Sequence, residues 1–396
     1  MKHFQPSEIV TSLPTQFFAS LVAKVNKVVQ AGHDVINLGQ GNPDQPTPQH
    51  IVTALQHAAE KAIHHKYPPF RGHESLKEAV ATFYKREYGV EVNPKTEVAI
   101  LFGGKAGLVE LPLCFTNPGD TILVPDPGYP DYLSGVALAK AQFETMPLLA
   151  ENDFLPDYTK IDHNTADRAK LMFLNYPNNP TGVTASKEFF EETISFANEH
   201  DILVVHDFAY GAIGFDGKKP TSFLQAKGAK DVGIEIYTLS KTFNMAGWRI
   251  AFAIGNESVI ETINLLQDHM YVSIFGAVQE AACEALLSSQ TCVNELVERY
   301  ESRRNALITA CRSIGWNVVA PNGSFFVWLP VPDGFTSAQF ADLLLEKAHV
   351  AVAPGIGFGE YGEGYVRVGL LHTEERLQEA VQRIQKLKIF KNPLTN

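Results

Sequence analysis

Six short, unbroken apolar runs decide most of what this chain can fold into: Val98-Ala-Ile-Leu-Phe102, Thr121-Ile-Leu-Val124, Lys170-Leu-Met-Phe-Leu174, Ile202-Leu-Val-Val205, Ile234-Glu-Ile-Tyr237 and Ile250-Ala-Phe-Ala-Ile254. A strand with one wet face alternates polar and apolar residues. These runs do not alternate, so they read as strands buried on both faces, and the stretches between them carry helical spacing. Together they predict a mostly parallel sheet covered by helices, an α/β architecture. At 396 residues the chain is about two to three domains long on the usual prior, and it can bury roughly 75% of its unfolded surface. With 45% hydrophobic and 19% charged residues it is not a disordered chain.

Other segments fill in the organisation. From Thr15 to Gln30, Phe17, Phe18, Leu21, Val22, Val25, Val28 and Val29 recur at helical spacing between Pro14 and Gly32, predicting one amphipathic helix that opens the chain. A mostly helical pattern from about Glu257 to Ser313 reads as a hinge between domains, and its charged run Glu298-Arg-Tyr-Glu-Ser-Arg-Arg304 as a solvated face. The last 80 residues suggest a smaller α+β domain, with strands at Trp316–Val319, Ser324–Leu329, Val350–Ala353 and Tyr365–Val368 and helices near 337–347 and 374–387. No internal repeat and no linker-like tract interrupts this order.

Charge and cysteine usage narrow the function classes. Thirty-three basic against 44 acidic residues give a net charge of −11, with no basic stripe on any predicted helix, which excludes nucleic acid as a partner. An anionic ligand must then be held by a few arginines and backbone N–H groups. Cys114, Cys283, Cys292 and Cys311 form no metal or redox spacing and fit a reducing compartment. No apolar h-region follows Met1 to Pro6, and no stretch reaches about 18 apolar residues, so a soluble, cytoplasmic protein without a membrane partner is expected.

Four segments carry chemistry-bearing residues at or after predicted strands, the usual ligand crevice of an open α/β sheet. Lys241 stands in Tyr237-Thr-Leu-Ser-Lys-Thr-Phe-Asn-Met-Ala-Gly-Trp-Arg249, where an amine nucleophile capable of forming a Schiff base shares a loop with the hydroxyls of Thr238 and Ser240 and with Arg249. Asp207 ends the run Val204-Val-His-Asp207, and Asn179 lies in Asn175-Tyr-Pro-Asn-Asn-Pro-Thr-Gly182. Taken singly, these are also a surface lysine, a helix cap and a plain turn. In Phe102-Gly-Gly-Lys-Ala-Gly107, small residues at a strand-to-helix junction leave backbone N–H groups free for a phosphate, although no Walker loop is present. The glycine-rich Pro354-Gly-Ile-Gly-Phe-Gly-Glu-Tyr-Gly-Glu-Gly364 imitates a dinucleotide loop but lacks the following helix. His64, His65 and His206 have no spaced partners for a metal.

In this order the four segments resemble the class I/II aminotransferases, fold-type I enzymes that use pyridoxal 5'-phosphate, over almost the whole chain. The resemblance implies a large cofactor-binding domain at 46–284 around a mostly parallel seven-stranded sheet, and a small domain from 1–45 and 285–396. It implies that Lys241 carries the cofactor and shuttles the substrate proton, that Asp207 pairs with the pyridine nitrogen, and that Asn179 and Tyr210 bond the phenolic oxygen. The phosphate would take Gly104, Lys105 through its backbone, Thr238, Ser240 and Arg249, while Tyr129 stacks on the ring. Arg367 and the backbone of Gly41, with Asn179, would bind the substrate α-carboxylate. Tyr67 would reach the neighbouring subunit's phosphate, making the unit a homodimer with shared sites. Within the family, Leu38 to Pro48, Gly103 to Glu110 and Val204 to Gly211 are most similar to the aminotransferases of methionine salvage. That implies transfer from an amino acid such as glutamine to 4-methylthio-2-oxobutanoate, with Phe17, Phe18 and Tyr129 as an apolar wall. Diaminopimelate, alanine and aromatic aminotransferases share most of the pattern, and a lyase could use the same residues. A ligand-sensing regulator on this fold would need a DNA-binding module, for which the 14 residues before the first helix leave no room.

Overall fold

The computed structural model describes residues 1–15 and 17–390. All six apolar runs become strands of one seven-stranded sheet, in the order Val98–Leu101, Ala251–Gly255, Gly233–Thr238, Leu203–Asp207, Ala169–Leu174, Thr121–Asp126, Gln142–Pro147. From Gly233–Thr238 to Gln142–Pro147 the neighbours are parallel, and Ala251–Gly255 runs antiparallel to both of its neighbours. The seventh strand, Gln142–Pro147, is unannounced in the sequence because it is an edge: its first four residues are exposed, so no apolar run marks it. Because the central strands are parallel, their C-terminal ends share one edge. Asp207 and Thr238 end two of them, and Asn175 follows a third.

Helices cover the two faces of the sheet and create two apolar layers, one containing Phe83, Tyr84, Phe190, Phe208 and Tyr237, the other Leu111, Tyr132, Phe173 and Ile263. Helix ends follow local chemistry. Ser186 accepts the N–H of Phe189 to start Lys187–His200, and Gly89, at φ 68°, ends Glu74–Tyr88 in the left-handed conformation. A further core gathers Ile36, Leu38, Tyr210, Ile213, Phe215 and side chains from 296 to 384. It packs on a three-stranded antiparallel sheet, Ala353–Pro354, Tyr365–Gly369 and Phe326–Pro330, and on the parallel pairing of Ile36–Asn37 with Val350–Ala351.

Several expectations need correction. A one-turn helix, Glu8–Thr11, precedes the opening amphipathic helix, which runs Phe17–Gln30; Gln16 lies outside the described residues. Only Val25 of that helix is buried, and Val22 and Val29 face outward. The pattern from 257 to 313 is three helices, Glu257–Met270, Gly276–Leu287 and Thr291–Ser313. Trp316–Val319 forms no strand. Side chains bind that segment instead of a ladder: Arg312 donates to the Val318 carbonyl, and Trp316 Nε1 donates to the Pro330 carbonyl at 2.8 Å. Val350–Ala353 divides between two sheets.

The charged run is not a uniformly solvated face. Arg303 and Arg304 are both buried, which their forked geometry permits once a carboxylate is met with two bonds. Arg303 reaches Asp44 at 3.0 and 2.8 Å, and Arg304 reaches Asp216 at 2.8 and 2.7 Å. The four cysteines are free. Among the described residues, no helix is long and apolar enough to cross a membrane.

Candidate active site

A cavity of about 280 Å³ opens at the C-terminal edge of the parallel strands. Its lining brings together Gly41, Gly104, Lys105, Tyr129, Asn179, Asp207, Tyr210, Thr238, Ser240, Lys241, Arg249 and Arg367, drawn from across the sequence. Tyr67 stands apart: it is 88% exposed and lies outside this lining. Phe18 lines the cavity and Phe17 does not. Sequence reasoning missed Phe326 and Asn175 in the lining, and Tyr132 behind it.

The floor is anionic. Asp207 is buried at its strand's end, accepts the hydroxyl of Tyr132 at 3.0 Å, and its carboxyl is pushed up to about 6 by burial, against the pull of that hydrogen bond. Beside it, Asn175 donates to the Asp207 carbonyl at 2.7 Å and accepts the Asn179 N–H at 2.7 Å, fixing the Asn175–Gly182 turn to the aspartate's strand. His206, one residue earlier, accepts the Tyr176 N–H at 3.2 Å through Nε2, which leaves its Nδ1–H for Glu235 at 2.7 Å. This is a satisfied core histidine. The turn Asn175–Gly182 is thus held by side chains as well as by its own backbone.

One wall is cationic and rich in donors. Gly104 opens the helix Gly104–Phe115, whose first N–H groups have no intrahelical partner. Gly103 has φ 89°, and a Cβ there would strike the Arg249 guanidinium, so the glycine lets that cation lie against the helix start. Thr238 and Ser240 share a 3.0 Å hydroxyl contact on the same wall, whereas the Lys105 ammonium turns to Asp131 at 2.9 Å. Helix start, two hydroxyls and a guanidinium together suit a bound phosphate.

Lys241 sits between floor and wall. Its Nζ donates to the Gly41 carbonyl at 2.9 Å, and burial, aided by the charges of Arg367 and Arg249, lowers it to about 8. At that value about half of the population is a neutral amine at pH 8.

The opposite wall comes from the second core. Arg367, 2% exposed, donates to Asn179 Oδ1 at 2.8 Å and to the Gly39 carbonyl at 2.9 Å, while its Nε has no partner among the described residues. Burial lowers it to about 10, and no carboxylate pairs with it among the described residues. The rings of Phe326, Phe358 and Phe18 surround the guanidinium at 4.0, 4.7 and 5.1 Å. A buried cation bonded only to neutral oxygens is costly to leave so, and it suits an incoming carboxylate.

The sheet-edge lysine and aspartate, the phosphate-shaped wall and the unpaired buried arginine suit chemistry on an amino acid, and the chain belongs to the family of class I and II aminotransferases, whose model matches residues 33–384. It is 69% identical, over 98% of this chain and 97% of the relative, to the L-glutamine–4-(methylsulfanyl)-2-oxobutanoate aminotransferase of Bacillus subtilis (strain 168). It is also 52% identical to the transaminase BacF of the same organism, over 97% of this chain and 96% of that one. A substrate-bound BacF structure superposes with a TM-score of 0.94 at 51% identity, covering 100% of both chains. The fold-type I expectation therefore holds, as does the aminotransferase activity.

Proposed function

We propose that this chain uses pyridoxal 5'-phosphate to move the amino group of an amino acid, with glutamine as donor, to 4-methylthio-2-oxobutanoate, yielding methionine. The 69% identity to a relative named for that reaction carries the substrate assignment. The donor set supports the cofactor: a phosphate-binding wall at Gly104, Thr238, Ser240 and Arg249, a buried carboxylate for a protonated ring nitrogen, and an amine of lowered pKa. Bound there, the cofactor supplies the electron sink that makes the substrate Cα–H acidic.

The chain's own residues do the rest. Lys241 Nζ would hold the cofactor through its aldehyde carbon, with loss of water, and, once displaced by the substrate amine, would be the base that takes and carries the Cα proton. Asp207 keeps the ring nitrogen protonated; a cation there would draw the carboxyl below the value burial alone imposes. Asn179, its Oδ1 committed to Arg367, keeps Nδ2 for the phenolic oxygen beside Tyr210. Tyr129, which lines the cavity, would stack on the ring. Arg367 grips the α-carboxylate, and the Gly41 N–H adds to it.

Selectivity follows from what is missing at the far end. Among the described lining residues, the arginines are Arg249, on the phosphate wall, and Arg367, on the carboxylate wall, so this chain offers no third guanidinium for a distal carboxylate. The aromatic wall of Phe18 and Phe326 suits a thioether side chain, which gains from each buried methylene.

We further propose domains at 46–284 and 1–45 with 285–396, with Tyr210, Ile213 and Phe215 of the first packing into the core of the second, and a cytoplasmic homodimer in which Tyr67 completes the partner's phosphate site. The purified protein, screened with amino donors against a panel of 2-oxo acids, tests the reaction. Glutamine with 4-methylthio-2-oxobutanoate should give the highest kcat/KM, and a higher value for diaminopimelate or aspartate would overturn the substrate assignment. Repeated turnover releasing pyruvate or ammonia without an oxo-acid acceptor would indicate a lyase.

A further inference from the structure

The glycine-rich turn at 354–364 is no dinucleotide loop, and its contacts show another use. Asp126, the buried last residue of the strand Thr121–Asp126, accepts the backbone N–H groups of Glu360 and Tyr361, each at 3.0 Å. Two residues on, the Gly128 N–H donates to the Phe358 carbonyl at 2.8 Å. The sheet edge thus holds the turn by its backbone. The adjoining Phe358 ring packs edge-on against Phe17 and Phe18, each at 5.9 Å between centroids, and lies 4.7 Å from the Arg367 guanidinium.

We propose that Asp126 is a positioning residue for substrate: by fixing the 359–361 turn to the sheet it seats Phe358, and through it the start of the Phe17–Gln30 helix, over Arg367. The role rests on the reading of Arg367 as the carboxylate grip. The turn's glycines fit it. Gly359 has φ 131°, and a Cβ there would overlap the Asp126 carboxylate; a Cβ on Gly357 would overlap the Phe17 ring. Both are positions where a close approach excludes a side chain. The two amides reach separate oxygens, Tyr361 on Oδ1 and Glu360 on Oδ2, so both oxygens must be acceptors. Only a carboxylate supplies that, because an asparagine turns one of them into a donor. Arg367 is bonded to Asn179 Oδ1 and the Gly39 carbonyl, and the rings of Phe18, Phe326 and Phe358 enclose the rest of its guanidinium.

The test uses the cofactor-loaded enzyme with wild-type, Asp126→Asn and Gly359→Ala chains, read by the visible spectrum of the bound cofactor, by steady-state kinetics at pH 8, and by amide exchange across 356–362. In Asp126→Asn the spectrum should be unchanged and protection at Glu360 and Tyr361 should fall. KM should rise roughly 10-fold for amino acid and oxo acid alike, with kcat within about threefold, the order expected for weakening one charge-assisted bond that acts on substrate binding. Gly359→Ala displaces the turn from its other side and should reproduce the pattern if the first variant fails to fold. Unchanged KM with lost protection, or unaltered protection, would overturn the proposal. If instead Arg367→Lys leaves KM unchanged, the carboxylate grip itself fails, while the exchange data still report whether Asp126 holds the turn.

Discussion

The two walls of the cavity are built on different principles. The Lys241 side stands on the ends of strands buried on both faces, so Asp207 and Thr238 inherit fixed positions from sheet register and Lys241 follows Thr238 in the one-turn helix Leu239–Thr242. The Arg367 side belongs to the second core and is completed by residues more than three hundred positions apart in sequence, Phe18 and Gly41 against Phe358 and Arg367. On the proposed reading, the first wall does the bond chemistry and the second chooses and orients what is transformed. Damage to the first should therefore appear in kcat and damage to the second chiefly in KM.

Lys241→Ala should break the comparison hardest. With no amine to hold the cofactor or move the Cα proton, turnover should fall by roughly 10⁴-fold or more, while a folded chain still takes up cofactor noncovalently. Borohydride reduction and peptide mapping check the assignment, and attachment at another lysine would refute it.

Asp207→Ala should lower the half-reaction rate roughly 10²- to 10³-fold, as expected when a buried charge pair loses one partner. The same carboxyl carries a cost in the cofactor-free protein. Its folded value, about 6, exceeds the ordinary 3.8, so the folded state binds more protons between those values and stability is lost as pH rises through that window. That displacement corresponds to ~3 kcal/mol at most. Cofactor-free Asp207→Asn should accordingly melt higher than wild type at pH 8 but not at pH 4, even though it is catalytically impaired; identical melting curves at both pH values would show that the buried charge is relieved some other way.

Arg367→Lys should sharpen the contrast. Losing the forked, charge-assisted pair should reduce kcat/KM for every substrate by about 10- to 150-fold, an effect of about 1.5–3 kcal/mol. An effect confined to one substrate would mean that the arginine reads a side chain instead of the shared carboxylate. The smallest effect is expected at Tyr67. Tyr67→Phe should weaken cofactor binding by about 10-fold or less, the worth of one hydrogen bond. At a cofactor concentration that leaves Tyr67→Phe homodimers largely unloaded, mixed dimers with Lys241→Ala should regain activity at one site per dimer; no recovery after proven subunit exchange would refute a shared site.

The same contrast governs what the sequence reveals. The sheet-borne wall is legible because each functional residue follows its own apolar run, so strand end and chemistry sit in one short segment, as with Asp207 after Val204-Val205. The edge strand Gln142–Pro147 was illegible because only one of its sides is paired and its residues face water. Trp316–Val319 misled for another reason: Trp316 and Val318 are buried and Asn317 and Val319 exposed, as in a strand, but side chains of Arg312 and Trp316 bind the segment instead of a neighbouring strand. Arg367 could be found by likeness to the family, whereas Phe326 and Tyr132 carry no local mark. Their placement depends on which distant elements the fold brings beside them.

Arg303 and Arg304 are adjacent on the helix Thr291–Ser313, yet they clasp Asp44, three residues from Gly41, and Asp216, six from Tyr210. Consecutive helical residues diverge by about 100°, so this double clasp works at a single rotational phase set by the buried Leu296 and Tyr300. Deleting one residue between Leu296 and Arg303 would turn both arginines away at once and free loops on either side of the cavity. Chain-length variation among relatives should therefore accumulate in surface turns and spare this stretch, which acts as an indexing pin for the whole assembly.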